Sequence, residues 1–556
     1  MASAQSDVSL VSRSTGGVAA NGTCGNAALS ADGRFVSFTS LASTLAPNDT
    51  NARFDVFVHD RQSGVTQRAS VSTAGLQGSE HSLHSSLSAD GRFVAFDSDA
   101  STLIVGDNNS RTDVFVRDMQ TSVTTLVSAT PSGSPGNDWS EYPSISDDGR
   151  LIAFASSAGN LVPGDTNSTA DVFVRDLLTN VTTRVSVGPV GAQANAGSSS
   201  AAISADGRHV AFSSVATNLV AGGPTFGSQI YVHDRQTGVT LLASASSVGA
   251  PGNDDSYWPS LSADGSSVAF RSLATNLIAS DTNGHQDIFV HDFATGLTTC
   301  VSVSSNGAAS NQASWFPSIS ANGRHVAFDS LANNLVSGDT NGQLDVFVHD
   351  RQTGVTTRRS VSASGAQASL ASSWPSISAN GAHIAFASVA NNLVVGDVNG
   401  QSDIFVSGPN MACSAPTTYC TAKTNSQSCT PAISFTGMPS SSGASAFQIL
   451  GSAFLNQKSG LLFYGPLPAA APFQGGFLCV ANPITRTPVQ SSGGSLTGSD
   501  CTGAYSFDFG ARIVSGIDPS LTAGAVVHTQ YWARDPADPT GFNTSYSNAL
   551  SLQICP

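Results

Sequence analysis

The sequence predicts an all-β protein, a seven-bladed β-propeller followed by a small disulfide-stapled β-sandwich. Three observations carry that reading. The phrase Ser-Ala-Asp-Gly-Arg and its variants recur with glycine at Gly33, Gly91, Gly149, Gly207, Gly265, Gly323 and Gly381, each 58 residues after the last. Each period holds four short β-type runs. The seventh period stops after its third run, and a matching fourth run stands at the opposite end of the chain.

Within the unit Trp315–Ser364 the runs are Pro317–Ser320, His325–Ser330, Asp345–His349 and Val355–Ser362. They are rich in Val, Ile, Phe and Thr and alternate roughly with period two, as half-buried strands do. Asn322-Gly323 and Gln352-Thr353-Gly354 supply tight hairpin turns. No stretch sustains a 3.6-residue apolar period. Four antiparallel strands per unit, repeated around an axis, make a propeller. A solenoid is the rival architecture, and the chain ends argue against it. The last unit ends at Asp403-Ile-Phe-Val406, while Val8–Ser12 aligns with Thr356 onward. A blade shared by the two ends ties the ring shut, with residues 7–13 as its outer strand.

The period breaks after residue 408. Residues 409–418 read as a Pro/Ser/Thr/Cys-rich linker. In 419–556, Leu461–Tyr464, Gly476–Val480, Ala504–Phe509, Val526–Trp532 and Ala549–Ile554 read as strands between Gly/Pro/Ser loops. Six of the eight cysteines fall here: Cys413, Cys420, Cys429, Cys479, Cys501 and Cys555. An even set in a short segment points to disulfides and an oxidising compartment. No C-x-x-C pair exists to favour zinc. Spacing does not choose among the possible connectivities.

Composition removes several functions. The 556-residue chain has a net charge of -15 and only 23 Lys plus Arg, so its field repels polyanions and disfavours nucleic acid and anionic membranes. No window reaches the roughly 18 apolar residues of a membrane span. No charged-then-apolar leader opens the chain, so any export signal is expected to have been removed or never included. A secreted, cell-surface or periplasmic location is expected.

The pattern P-S-I-S-A-D-G-R-x-V-A-F followed by D-V-F-V-x-D-x-x-T-G resembles the WD40-like (PD40) repeats of TolB-type propellers. The likeness covers the first 400 or so residues and recurs seven times. It implies the fold and little about function, because that family includes binding modules, scaffolds and accessory domains of enzymes. The stretches YCTAKTNSQSC, LLFYG, PFQGGFLCV and QYWARDP are similar to a C-terminal module of large secreted bacterial proteins, which implies export.

A WD40 blade takes about 40–45 residues, so each unit carries a surplus. It lies in the connection from second to third strand (Leu331–Leu344) and in the link between blades (Ala363–Ser373), both on one face of a propeller. Three candidate sites lie on that face. The first is Asp-x-Asn-x-x-x-Asp in the second-to-third-strand connection: Asp49/Asn51/Asp55, Asp107/Asn109/Asp113, Asp165/Asn167/Asp171, Asp281/Asn283/Asp287, Asp339/Asn341/Asp345 and Asp397/Asn399/Asp403. Hard oxygens around a turn suit structural Ca²⁺, with the first Asp, the Asn and the last Asp expected as its ligands. The competing reading is hydrogen-bonded Asx-turns. Blade four, with Gly223, Thr225 and Gln229, has lost the set.

The second candidate is the residue just before the innermost strand: Asn26, His84, Tyr142, Ser200, Trp258, Phe316 and Trp374. It varies while the rest of the unit scarcely does. Tyr142, Trp258, Trp315, Phe316 and Trp374, with Asn137 and Asn253, suit the apolar faces and hydroxyls of a glycan. The competing reading is that these aromatics plug gaps between blades. The third is an acid and imidazole cluster, Glu80, His81, His84, Asp138 and Glu141, able in principle to supply the general acid and base of a polysaccharide lyase or glycosidase. A solvated surface cluster is its competing reading. No G-x-S-x-G, H-E-x-x-H or P-loop is present.

The function expected is therefore non-catalytic recognition of a glycan or extracellular protein through the elaborated loop face. A carbohydrate-active enzyme and a purely structural module of a surface assembly are the alternatives. No organic cofactor is expected.

Overall fold

The computed structural model describes residues 7–279, 281–408, 416–437, 439, 447–521 and 525–554. Its first compact unit, Met1–Asn410, contains seven four-stranded antiparallel sheets. Six run in simple chain order, such as Ser314–Ile319, His325–Ser330, Asp345–Asp350 and Val355–Arg358 in blade six. The seventh is completed from the other end of the chain. Asp7–Leu10 pairs antiparallel with Asp403–Gly408, Leu10 standing opposite Phe405. Just beyond the strand, Ser12 Oγ donates to Asp403 Oδ1 at 2.6 Å.

Closure is also visible in the backbone of the turns between first and second strands. Ala31 N–H donates to Ala89 O, Ala89 to Asp147, Asp147 to Ala205, Ala205 to Ala263, Ala263 to Ala321, Ala321 to Ala379, and Ala379 back to Ala31, all at 2.9–3.0 Å. An open solenoid has no bond that returns to its start. These turns also explain the invariant glycine. At Gly91 φ is +69°, and a Cβ there would meet the Phe35 ring of the preceding blade at 2.3 Å. Both the left-handed backbone and the close approach exclude a side chain.

The core lies between blades. Second and third strands are buried on both faces, as in Phe93–Ser98 and Asp113–Asp118. Each blade stacks one phenylalanine of its second strand on an aromatic of its third, with Phe96 and Phe115 5.9 Å apart. The clusters span neighbouring blades, with Val56, Val58 and Ala69 of blade one against Leu87, Phe96 and Leu103 of blade two.

One boundary differs from the sequence reading. The innermost strand starts three residues earlier than Pro317, at Ser314, and takes in Trp315 and Phe316. Its register breaks between Trp315 and Ser318. The break interrupts the two-residue alternation, so the pattern becomes regular only after it.

The second unit spans Met411–Pro556. Thr417–Tyr419, Thr544–Gln553, Val526–Arg534, Ser459–Gly465 and Thr485–Arg486 form one sheet in that order, with Gln490–Ser491 also on Ser459–Gly465. Thr417 and Thr418, read above as linker, already belong to it. Ala432–Thr436, Gln448–Phe454 and Gly503–Asp508 form a second sheet, and Pro468–Phe473 pairs with Gly476–Val480. Phe447, Phe454, Leu462, Tyr531 and Leu550 are among its buried core. Phe509 leaves the expected strand and opens a short helix, Phe509–Val514, whose N-cap Asp508 accepts the Ala511 N–H at 2.8 Å. Disulfides join Cys420 to Cys479 and Cys429 to Cys501. Cys413 and Cys555 lie outside the described residues.

Candidate functional site

Register places the innermost strand's start beside the elaborated loops, because Ser314 pairs with Ser330, the last residue before the second-to-third-strand connection. All seven innermost strands carry the same irregularity one or two residues further on. At each, one residue adopts positive φ: Asn26 at 49°, His84 at 38°, Tyr142 at 55°, Ser200 at 54°, Trp258 at 55°, Phe316 at 40° and Trp374 at 56°. Non-glycine residues rarely occupy this region. A bulge re-aims a side chain, and here seven of them line one cavity of about 230 Å³ at the central channel. The variable position thus lies inside the strand, not before it.

The aromatics converge on one another. Phe316 and Trp374 stack with centroids 3.6 Å apart. Trp258 stands edge-on to Tyr142, Phe316 and Trp374 at 5.6, 5.5 and 5.8 Å. His84 lies 4.3 Å from the Tyr142 ring. The small residues Asn26, Ala27, Ser200 and Ala201 complete the wall. Rings from blades two, three, five, six and seven thus join into one surface, interrupted by the small residues of blades one and four.

Behind the bulges the second strand contributes charge that the sequence reading passed over. Asp97 Oδ2 accepts from His84 Nδ1 at 2.9 Å and from the Tyr142 N–H at 3.0 Å. Burial lowers the His84 pKa, but the hydrogen bond and charge of Asp97, with the charge of Glu141, more than offset it and hold it above the ordinary imidazole value. Glu141, half-buried, is pushed up by burial and by the charge of Asp97, against the pull of His84. Asp329 Oδ2 accepts the Trp374 N–H at 2.9 Å, while its Oδ1 has no partner, and burial pushes its pKa up to about 7. The Arg271 guanidinium lies 5.5 Å from the centroids of Tyr257 and Phe316. The signal was present: the same column reads Thr39, Asp97, Ala155, Ser213, Arg271, Asp329 and Ala387, beside a phenylalanine that is the same in all seven blades.

Of the acid and imidazole set, the structure brings only His84 and Glu141 near one another: His84 bonds Asp97, and Glu141 lies within electrostatic reach of both. Glu80 pairs with Arg53 at 2.9 Å. His81 Nδ1 accepts the Phe54 N–H at 3.0 Å. Asp138 lies 3.6 Å from Arg111, whose guanidinium also covers the half-exposed Trp139 ring at 5.3 Å. Asn137 and Asn253 tie the blade links to the neighbouring loops. Asn137 N–H donates to Asn160, and Asn253 bonds Asn276 and Thr275 through both backbone and side chain. Trp315 stands opposite Asp329 in the register.

The six Asp-x-Asn-x-x-x-Asp loops share one hydrogen-bond scheme. In every loop the Asn Oδ1 accepts the N–H two residues on. Asn51 accepts from Arg53 at 3.0 Å, Asn109 from Arg111 at 2.9 Å and Asn167 from Thr169 at 3.1 Å. Asn283 accepts from His285 at 2.9 Å, Asn341 from Gln343 at 3.0 Å and Asn399 from Gln401 at 2.8 Å. Each Nδ2 donates to the closing Asp. Asn51 reaches Asp55 at 3.2 Å, Asn109 Asp113 at 2.6 Å and Asn167 Asp171 at 3.0 Å. Asn283 reaches Asp287 at 2.6 Å, Asn341 Asp345 at 2.9 Å and Asn399 Asp403 at 2.6 Å. The same Nδ2 also donates to a backbone carbonyl of the link between blades, such as Gly78 or Gly136. Asn51, Asn109, Asn167, Asn283, Asn341 and Asn399 were expected as calcium ligands. In the structure each gives its amide oxygen to an Asx-turn and uses its amide nitrogen to tie the loop to its neighbours.

The closing Asp takes a serine hydroxyl from just beyond the fourth strand, Ser128 to Asp113 at 2.6 Å. Burial pushes Asp55 and Asp113 up to about 6. In blade four Gln229 replaces the closing Asp and accepts Ser244 Oγ at the same 2.6 Å.

Fold and site together define a closed seven-bladed β-propeller protein with an asymmetric aromatic channel mouth and a separate disulfide-linked β-module. Solved structures to which the chain is similar are TolB-type and other propeller proteins. TolB from Acinetobacter baumannii is 15% identical over 61% of this chain and 63% of its own, with a TM-score of 0.34. An oligogalacturonate lyase in complex with manganese is 12% identical over 73% of this chain and 94% of its own, with a TM-score of 0.44. The β-propeller domain of the Trilobed protease from Pyrococcus furiosus is 9% identical over 66% of this chain and 91% of its own, with a TM-score of 0.41. No protein-family model and no curated protein matches the chain. Among the described residues no helix is long and apolar enough to cross a membrane.

Proposed function

We propose that the propeller is a non-catalytic recognition module of an exported or surface protein, and that its ligand, a glycan or a segment of an extracellular protein, docks at the channel mouth on the elaborated face. One observation carries this reading. A bulge repeated in all seven blades sends the repeat's most variable side chains to a single place, and the outcome is a joined aromatic surface beside small polar residues. Loop-face positions that vary on a fixed scaffold are where recognition is built. Aromatic faces with nearby amide and hydroxyl groups suit sugar rings as well as protein side chains. The two disulfides fit an oxidising compartment.

The His84–Asp97–Glu141 group favours a second reading, acid–base chemistry on an acidic polysaccharide. One experiment separates the two: a glycan-array screen of the full chain with product analysis on acidic polysaccharides, repeated for Trp258→Ala and for Glu141→Gln. Binding without turnover, weakened about tenfold or more by Trp258→Ala, is the expected result. New unsaturated or reducing ends that vanish in Glu141→Gln establish the enzyme reading. Retained binding in a folded Trp258→Ala protein removes the aromatic surface as the recognition element.

A further inference from the structure

The paired acids of the second-to-third-strand loops divide into two classes that the shared motif conceals. In blades one, three and six a guanidinium stands between them. Arg68 Nη1 lies 3.9 Å from Asp49 Oδ1 and 3.4 Å from Asp55 Oδ2. Arg184 Nη1 lies 3.5 Å from both Asp165 Oδ1 and Asp171 Oδ2. Arg358 Nη1 lies 3.2 Å from Asp339 Oδ1 and 3.4 Å from Asp345 Oδ2. Each of these arginines comes with a glutamine in the adjoining link, Gln77, Gln193 or Gln367, bonded to the arginine or to the acids.

In blades two, five and seven both acids are kept and that cation is gone. The arginine position reads Leu126, Cys300 and Leu10, and the glutamine position reads Pro135, Ala309 and Ala19. Asp107 Oδ1 and Asp281 Oδ1 are sealed from solvent and have no hydrogen-bond partner. They are the same oxygen that faces the arginine in the sister blades. The closing acids Asp113, Asp287 and Asp403 are buried beside them. Burying an anion without a counter-charge is costly.

Hydrogen bonding in the turn does not account for the second acid. Blade four lacks the arginine too, with Leu242 in its place, and has dropped both acids. Gln229 there makes the serine bond as a neutral amide. Where no cation is supplied and none is needed, the charge has been removed. Where the arginine is missing and the acids remain, no ion pair among the described residues balances them.

We propose that the loops of blades two, five and seven each bind a divalent cation of the calcium type, in the position taken by arginine in blades one, three and six. The ion sits between the first Asp Oδ1 and the closing Asp Oδ2. Asn109, Asn283 and Asn399 hold the turn around it, each Oδ1 accepting a backbone N–H and each Nδ2 donating to the closing Asp. Among the described residues no three carboxylate, imidazole or thiol groups converge, so backbone oxygens and water complete the shell. Cys300 stands near the blade-five pair, 3.3 Å from Ser302 Oγ, but its soft sulfur is not a donor that a calcium-type ion selects. Hard oxygens with few charges and retained water select Ca²⁺ at the weak affinities of extracellular modules, about 10⁻⁴–10⁻³ M.

The test is calcium stoichiometry by equilibrium dialysis of the chelator-stripped full chain, with melting followed in parallel. Three ions per chain are expected, with a melting temperature that rises with calcium concentration. Leu126→Arg, which rebuilds the guanidinium in blade two, is expected to lower the count to two while keeping the fold. Asp49→Asn, in an arginine-bearing loop, is expected to leave it at three. A count of zero at millimolar calcium with unchanged melting overturns the proposal. So does a count of six, or an unaltered count in Leu126→Arg.

Discussion

Asp329 shows how one side chain differs from its repeat. Its register equivalents include two alanines, Ala155 and Ala387, so the fold does not require a carboxylate there. It is fully buried, gives one oxygen to the Trp374 N–H and leaves the other unpartnered. Burial raises its pKa from 3.8 to about 7, with the Trp374 N–H and the Arg271 charge only partly opposing. A carboxyl that holds its proton more firmly folded than unfolded stabilises the fold fully below pH 3.8, and that contribution is lost as pH rises through about 7. Asp329→Asn keeps an acceptor for Trp374 and removes the ionisation. It is expected to be more stable than the parent at about pH 8 by on the order of 1–3 kcal/mol, with the gap closing towards about pH 4. Urea unfolding of both proteins at the two pH values measures it. Equal stability at the higher pH would mean that Arg271 already neutralises the charge.

At the scale of elements, the closing strand Asp7–Leu10 is the piece whose loss should matter most for its size. It covers the edge of Asp403–Gly408, and Val11 N–H and Ser12 Oγ continue the contact to Ile404 and Asp403. Deleting residues 1–14 uncovers a strand with free backbone groups, the kind of edge that pairs with other chains. The truncated protein is expected to associate at micromolar concentration and to melt lower, by light scattering and calorimetry. A monomer as heat-stable as the parent would show that the turn-to-turn ring of hydrogen bonds suffices. This strand was legible in the sequence because Val8–Ser12 completes a period counted in whole units of 58. The bulges were not legible, because a residue at positive φ breaks the alternation by which strands are recognised. In the Asp/Asn loops the motif was legible but the division of labour within it was not. Asn51 and Asn399 read as oxygen ligands, and only the folded turn shows that each amide oxygen also accepts a backbone N–H. The arginine classes were also hidden: Arg68 and Asp49 meet only when the fourth strand folds back beside the loop. In the second unit Ala432–Thr436 and Pro468–Phe473 escaped notice, since largely exposed strands carry little apolar pattern.

For the whole molecule, the unequal use of cysteine separates two kinds of stability. The first unit rests on interlocked blades and keeps Cys24 and Cys300 as thiols, both pushed up to about 12 by burial and so slow to react. The second unit has a smaller core and, among the described residues, two disulfides, closing spans of 59 and 72 residues. Chain-entropy arguments assign each such loop roughly 4 kcal/mol of stabilisation, through restriction of the unfolded chain. A domain of this size has a total stability of about 5–15 kcal/mol, so losing both bonds removes a large share of it. Calorimetry of the full chain is therefore expected to show two transitions. A strong reductant should lower or abolish the one that belongs to residues 416–554 and leave the propeller's transition in place. Tryptophan emission gives an independent assignment, because Trp139, Trp258, Trp315 and Trp374 report on the propeller and Trp532 on the second unit. A single transition that moves as a whole on reduction would show instead that the two units unfold as one, and that the disulfides stabilise the propeller as well.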